Sequence, residues 1–191
     1  MKKKIAILGS TGSIGKSTID ILRKDKKNFD VVLLTTNNNY REILKQAKEF
    51  KARNIIINNK KHYLTSKKKF RNNKINIFNN FQSFNNKFKS KIDFSMSAIS
   101  GLDGLKPTLD LIKYSKTIAI ANKESIICAW NLIQQRLNKY KTKFIPVDSE
   151  HFSIWSLLDG NSSNSLEEVI ITASGGPFLK LSLNKFKKIK P

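Results

Sequence analysis

Ile5-Ala6-Ile7-Leu8-Gly9-Ser10-Thr11-Gly12-Ser13-Ile14-Gly15 opens the chain: an apolar run, then glycines at every third position. The run reads as a buried strand ended by glycine, and Ile14, Thr18, Ile21 and Leu22 then recur at helical spacing and mark the inward face of a helix. The glycine turn is a shifted relative of the G-x-G-x-x-G fingerprint. Its glycines allow a tight turn and close approach of backbone to a pyrophosphate, while the following helix offers free N–H groups and the positive end of its dipole. An ordinary glycine-rich turn would look similar. Opening the first βα unit of an alternating chain favours a phosphate or dinucleotide.

The alternation continues outward from that unit. Residues 31–34, 55–57, 75–78, 92–96, 117–121, 144–147 and 169–172 read as further strands. Ile43, Leu44, Ala47 and Phe50 mark one intervening helix, Leu105, Leu109 and Ile112 another, and Ile126, Leu132, Ile133 and Leu137 a third, with residues 152–158 a fourth. Strands alternating with helices predict a doubly wound, mainly parallel, Rossmann-like α/β sheet. No internal repeat is present, and only residues 161–165 read as a flexible linker.

The 191 residues suffice for one domain plus part of a second, and 39% of them are hydrophobic. No apolar run approaches a membrane span, and Met1-Lys2-Lys3-Lys4 leads straight into a strand, which predicts no membrane association and a cytoplasmic protein. Cys128 is the sole cysteine, which rules out an internal disulfide, and it is expected to pack on a helix. The formal charge of +22 raises nucleic-acid binding as a function, but only five of the 36 basic residues are arginine. Lysine is scattered along the chain with an excess of asparagine and isoleucine, a compositional bias rather than a recognition face. Residues 66–91 interleave Phe70, Phe78, Phe81, Phe84 and Phe88 with lysines as a single-strand-binding surface would. Their expected place is the buried side of a strand and a short helix, so no nucleic-acid partner is expected.

Two later strand ends carry charge: Asn122-Lys123-Glu124-Ser125, and Val147-Asp148-Ser149-Glu150-His151. The carboxyl edge of parallel strands is where open α/β sheets bind ligands. Read as a strand, Asp148 and Glu150 point one way and Ser149 the other, which suits a shared hard cation. Read as a helix start, the same residues cap and favour the dipole. His151 is expected to be a simple helix residue rather than a carboxylate partner, and His62 an exposed one. After the second strand, Thr35-Thr36-Asn37-Asn38-Asn39 lacks the acid that holds the ribose 2′-hydroxyl of NAD, so NADP is preferred. Ser174-Gly175-Gly176 could form a hydroxyl-plus-backbone nest for an oxyanion.

Residues 7–15, Ala121-Asn122-Lys123-Glu124-Ser125, Pro146-Val147-Asp148-Ser149-Glu150-His151 and Ser174-Gly175-Gly176-Pro177-Phe178 follow one another as in one family. The chain resembles the N-terminal part of 1-deoxy-D-xylulose 5-phosphate reductoisomerase. The resemblance implies an NADPH-binding domain over 1–147 and the beginning of a catalytic, metal-binding domain over 148–191. It implies that Thr11, Gly12, Ser13 and Ile14 hold the NADPH pyrophosphate and that Asn122 and Glu124 contact the nicotinamide half. Asn37, Asn38 and Asn39 fall at the adenosine 2′-phosphate, where a base is implied at the position of Asn38; the chain has an amide, leaving Arg41 or a nearby lysine to supply charge.

On the same resemblance, Asp148 and Glu150 ligate Mg²⁺ or Mn²⁺, Lys123 and Glu150 are catalytic, and Lys123, Ser149, Glu150 and Ser174 bind the phosphorylated sugar. The implied reaction is rearrangement and NADPH-dependent reduction of 1-deoxy-D-xylulose 5-phosphate to 2-C-methyl-D-erythritol 4-phosphate, by a homodimer at full length. Family members continue past the position of Pro191 with a further acidic ligand, phosphate contacts and a lid. The 191-residue chain is therefore expected to be a fragment that binds nucleotide with little or no turnover. A stand-alone NADP-binding module and a different Rossmann oxidoreductase are the alternatives.

Overall fold

A computed structural model of the chain describes residues 1–69, 75–158, 166–170 and 180–186. It divides into one unit, Met1–Phe152, and another, Ser153–Pro191. In the first unit strands and helices alternate: β1 (Lys3–Leu8), α1 (Ser13–Lys24), β2 (Phe29–Thr36), α2 (Tyr40–Phe50), β3 (Asn54–Ile57), α3 (Lys60–Lys69), β4 (Asn76–Phe78) and α4 (Phe81–Lys87). Then follow β5 (Ile92–Ser97), a 3-10 turn (Leu102–Gly104), α5 (Leu105–Ile112), β6 (Ser115–Ile120), α6 (Lys123–Tyr140), β7 (Lys143–Pro146) and α7 (Ser149–Leu158), the last running past Phe152. A short α8 (Leu183–Phe186) lies in the second unit.

The sheet has seven strands in the order β4-β3-β2-β1-β5-β6-β7, and every neighbouring pair is parallel. The chain winds outward from β1 through β2, β3 and β4, then crosses to β5 and winds the other way. The order reverses between β1 and β5, and a crevice opens at such a switch point, outside the carboxyl ends of the strands.

Both faces of the sheet are covered, which explains why the strands read as apolar runs rather than alternations. Ile5 and Ile7 of β1 pack with Ile19, Leu22, Ile43 and Ala47 in one layer, whereas Ala6 and Leu8 pack with Phe84, Ile92 and Leu111 in the other. Ile118, Ile120, Ile133 and Leu137 form a third cluster beneath α6. Phe78, Phe81 and Phe84 are buried and meet edge to face at centroid distances of 5.8 and 6.2 Å. These rings are core; Phe70 lies outside the described residues.

Several expectations are corrected. The buried line of α1 is Gly15, Ile19 and Leu22; Ile21 is exposed, and Ile14 faces the crevice from the first turn. Along α6 the buried line is Ser125, Ala129, Ile133 and Leu137, a strict four-residue step, and Leu132 falls off it and is exposed. Cys128 is exposed on the same helix rather than packed. Val169 and Ile170 are exposed and form no strand, while residues 171–172 lie outside the described residues. β7 ends at Pro146, one residue early, although the Val147 N–H still donates to the Ile120 carbonyl at 3.0 Å.

Candidate active site

The first βα turn is built around glycine. Gly9 has φ +74, and a Cβ there would stand 2.6 Å from the Ala98 carbonyl oxygen, so a side chain is excluded by both backbone and space. A Cβ on Gly15 would collide with the Gly9 carbonyl and with Ser10 backbone atoms, so only glycine lets α1 pack this close to the turn. Threonines of β2 hold the turn from beside it. The Gly9 N–H donates to Thr35 Oγ1 at 2.9 Å, and the Thr11 and Thr36 hydroxyls lie 2.7 Å apart. Gln46 of α2 donates to the Ser10 carbonyl at 3.1 Å. Gly12 is the N-cap of α1 and no side chain caps the helix, so its first-turn N–H groups remain for an anion.

These residues meet the ends of β5 and β6 across a cavity of about 280 Å³. It is lined by Gly12, Ser13 and Ile14, by Ala98, Ile99 and Ser100, and by Ala121, Asn122, Lys123 and Glu124. The glycine turn and the Asn-Lys-Glu segment, more than 100 residues apart in sequence, thus share one crevice at the switch point. The cradle fits a dinucleotide: a turn that a Cβ would fill, an uncapped helix N-terminus, and a mouth between strand ends.

Asn122 has a structural task beside any ligand contact. It is 2% exposed, its Oδ1 caps α6 by accepting from the Ser125 N–H at 2.6 Å, and its Nδ2 donates to the Ile99 and Gly101 carbonyls. Its side chain is a strut between the loop after β5 and the start of α6. Lys123 is the first residue of α6 rather than the end of a strand, and its Nζ stands 3.8 Å from Glu150 Oε2. Both side chains are more than half exposed, so the pair adds little to stability. It sets a cation beside a carboxylate where β6 and β7, already paired in the sheet, come to an end.

The strand alternation expected to aim Asp148 and Glu150 together is not present, because α7 begins at Ser149. Asp148, not Ser149, caps α7: its Oδ1 accepts from the His151 N–H at 2.7 Å and lies 2.8 Å from His151 Nδ1. His151 is therefore a carboxylate partner rather than a simple helix residue. The Asp148 side chain is 4% exposed. Burial acts to raise its pKa, but the hydrogen bonds from His151 and the charges of His151 and Lys123 hold it below the ordinary value. Asp148 thus stays anionic at neutral pH beside Glu150 in the first turn of the same helix.

Two such oxygen donors suit a hard divalent cation. Among the described residues no group of three or more His, Cys, Asp or Glu is placed to hold a metal ion, so further ligands would come from water, substrate or other parts of the polypeptide. Ser174 lies outside the described residues.

Asn37, Asn38 and Asn39 sit at the carboxyl end of β2. Asn39 caps α2, accepting from the Glu42 N–H at 3.2 Å, and Asn38 Oδ1 accepts from Asn59 Nδ2 at 3.0 Å. His62 is half-buried rather than exposed, stacked on Tyr40 with ring centroids 4.9 Å apart. The sequence reading missed Asn59, the two β2 threonines and the small residues after β5. Ser97-Ala98-Ile99-Ser100-Gly101, with small residues at every position but Ile99 where a strand ends, was the available signal for the last.

A parallel sheet with a glycine turn at its switch point, and acidic and basic side chains at the carboxyl ends of its later strands, defines an α/β fold of the dinucleotide-binding class. Comparison with known proteins narrows this class. The family model for 1-deoxy-D-xylulose 5-phosphate reductoisomerase matches residues 5–130, and that for the C-terminal domain of the same enzyme matches residues 144–191. The chain belongs to the 1-deoxy-D-xylulose 5-phosphate reductoisomerase family.

The enzyme of that name from Pelagibacter ubique is 60% identical over 98% of this chain and 49% of its own length. The Zymomonas mobilis enzyme, solved in complex with NADPH, superposes with a TM-score of 0.85 at 32% identity, over 99% of this chain and 50% of that one. A DOX-P reductoisomerase solved with NADPH, fosmidomycin and magnesium superposes at 0.78 with 28% identity, covering 98% of this chain and 49% of the other. The chain spans about half the length of the relatives it matches. No helix among the described residues is long and apolar enough to cross a membrane.

Proposed function

We propose that this chain provides the NADPH-binding half and the first metal-binding carboxylates of a reductoisomerase. The reaction converts 1-deoxy-D-xylulose 5-phosphate to 2-C-methyl-D-erythritol 4-phosphate in isoprenoid synthesis. One observation carries the reading: the uncapped glycine turn after β1 and Asn122-Lys123-Glu124 after β6 line one cavity at the carboxyl edge of the sheet, and Lys123 stands 3.8 Å from Glu150 after β7. A relative 60% identical, and solved relatives holding NADPH and magnesium in this fold, support it.

NADPH, when bound, supplies the hydride, and a divalent cation polarises the substrate's carbonyl and hydroxyl oxygens. Thr11 and Gly12 shape the turn that holds the pyrophosphate, the Gly12 N–H donating to the Gly9 carbonyl, and the first-turn N–H groups of Ser13 and Ile14 face the phosphates. Glu124 and the segment that Asn122 braces shape the nicotinamide end. Asp148, kept anionic by His151, and Glu150 present oxygens to the cation, and Lys123 orients the substrate's hydroxyls with Ser149. Ser174 is assigned to the substrate by the family motif alone. Residues 1–147 act as the nucleotide domain and 148–191 begin the catalytic one; a homodimer at full length and a cytoplasmic setting complete the reading.

By itself the 191-residue chain is expected to bind nucleotide and turn over little substrate, because its described residues offer two metal-binding carboxylates and no third. The test is a chimera in which this chain replaces the matching half of the Pelagibacter ubique relative. Mg²⁺-dependent loss of NADPH absorbance on adding the substrate is predicted, falling about a hundredfold or more in Glu150→Gln. A folded chimera that binds NADPH and stays inactive would overturn the reading.

A further inference from the structure

We propose that this chain recognises the NADPH 2′-phosphate with an amide and a guanidinium. Asn38 serves as a hydrogen-bond donor oriented by Asn59, and Arg41 supplies the charge. The inference rests on the NADPH reading above and adds the determinants of nucleotide choice.

Backbone chemistry sets the orientation of Asn38. A backbone N–H can only donate, so the 3.1 Å contact from the His62 N–H makes Asn59 Oδ1 the acceptor. Asn59 Nδ2 must then be the donor in its 3.0 Å contact with Asn38 Oδ1. That leaves Asn38 Nδ2 as the donor end of an exposed amide, with no partner among the described residues. Two backbone bonds lock the arrangement: the Asn59 N–H donates to the Asn37 carbonyl at 3.2 Å, and the Asn58 N–H to the Thr36 carbonyl at 3.1 Å. The loop after β2 and the start of α3 therefore move as one piece and present a donor, where an unbraced asparagine would present either end.

The charge stands on the same piece. Arg41 lies in the first turn of α2, its guanidinium carbon 6.0 Å from the Tyr40 ring centroid and its Nε 3.5 Å from the Tyr40 hydroxyl. Tyr40 is in turn stacked on His62, the residue whose N–H starts the amide relay. Arg41 has no carboxylate partner among the described residues. The neighbouring acid, Glu42, is engaged through Oε1 by Gln46 Nε2 at 3.4 Å. No acid stands in the loop to hold a ribose 2′-hydroxyl, and a guanidinium fork matches phosphate geometry better than a point charge.

The position is right for the adenosine end. β2 lies beside β1, and Thr35 and Thr36 at its end hold the glycine turn that takes the pyrophosphate.

The experiment is a fluorescence titration of the 191-residue chain with NADPH and with NADH at one ionic strength. Wild type is compared with Arg41→Ala, Asn38→Ala, Asn59→Ala and the Asn38→Ala/Asn59→Ala double variant, each checked for folding by circular dichroism. Wild type should prefer NADPH by about tenfold or more, and Arg41→Ala should weaken NADPH about tenfold while leaving NADH within about twofold. Asn59→Ala should weaken NADPH selectively by about threefold, with no further loss when Asn38 is already alanine, the mark of a positioning residue acting through Asn38. Equal affinity of wild type for both nucleotides, equal loss of both in Arg41→Ala, or additive losses from Asn38 and Asn59 would overturn the inference and leave the nucleotide site standing. Failure of wild type to bind either nucleotide would overturn the NADPH reading itself.

Discussion

At the scale of single residues, the turn after β1 tolerates almost nothing. Gly15→Ala places a methyl group against the Gly9 carbonyl and Ser10 backbone, and α1 must shift away from the turn. Such overpacking costs about 1–3 kcal/mol, read as a lowered urea midpoint, and should weaken NADPH binding more than it weakens folding. Glu49 makes a second prediction. The hydrogen bond from Arg23 holds its carboxyl down at about 2, against desolvation and with help from Lys26. Arg23 also reaches Asp20 of its own helix, so the group ties the carboxyl ends of α1 and α2 together. A carboxylate whose folded pKa is depressed stabilises the fold above its unfolded value near 4.5, and that contribution is lost as pH falls towards 2. Denaturation across pH 2–6 should therefore show Glu49→Gln differing from wild type by about 0.5–1 kcal/mol at pH 6 and converging with it at the acid end, with the size limited by partial exposure.

Among the elements, helix starts do more than begin helices. Asn122 caps α6 while bracing the loop after β5, and the two tasks can be separated. Asn122→Ala should cost about 1–2 kcal/mol in denaturant unfolding, because it removes a cap and takes the side-chain donor from the half-buried Ile99 and Gly101 carbonyls, the second of which keeps the Gly104 N–H. Asn122→Asp keeps the acceptor for Ser125 but cannot donate, so it should recover only part of that loss. Most elements were legible in the sequence because apolar runs in a doubly covered sheet announce themselves, as residues 5–8, 55–57 and 117–120 do. Helix faces were read less well. A step of exactly four residues through Ser125 and Ala129 carries little hydrophobic signal, so the larger Leu132 was assigned to the core in their place. Of the two readings of the segment at Asp148, the helix start holds; the strand reading was natural because Val147 still bonds to β6 while the chain is already turning into α7.

For the whole molecule, the formal charge of +22 means that any polyanion will be attracted to it, so affinity alone says little about a site. Location says more. The glycine turn and the charged strand ends could each be picked out in sequence, but their sharing one crevice follows from the crossover that sets β5 beside β1, a long-range pairing with no local signature. Asn59 was invisible for the same reason: its partners lie about 20 residues away at the end of another strand. The most direct test of the central claim is a backbone amide NMR titration of the chain with NADPH at physiological salt. Shifts should concentrate at residues 9–16, 37–41, 98–101 and 121–124, the strand ends around the switch point. Perturbation centred instead on the lysines of α3, fading as salt is raised, would show a nonspecific anion surface and contradict the assignment of this crevice as a dinucleotide site.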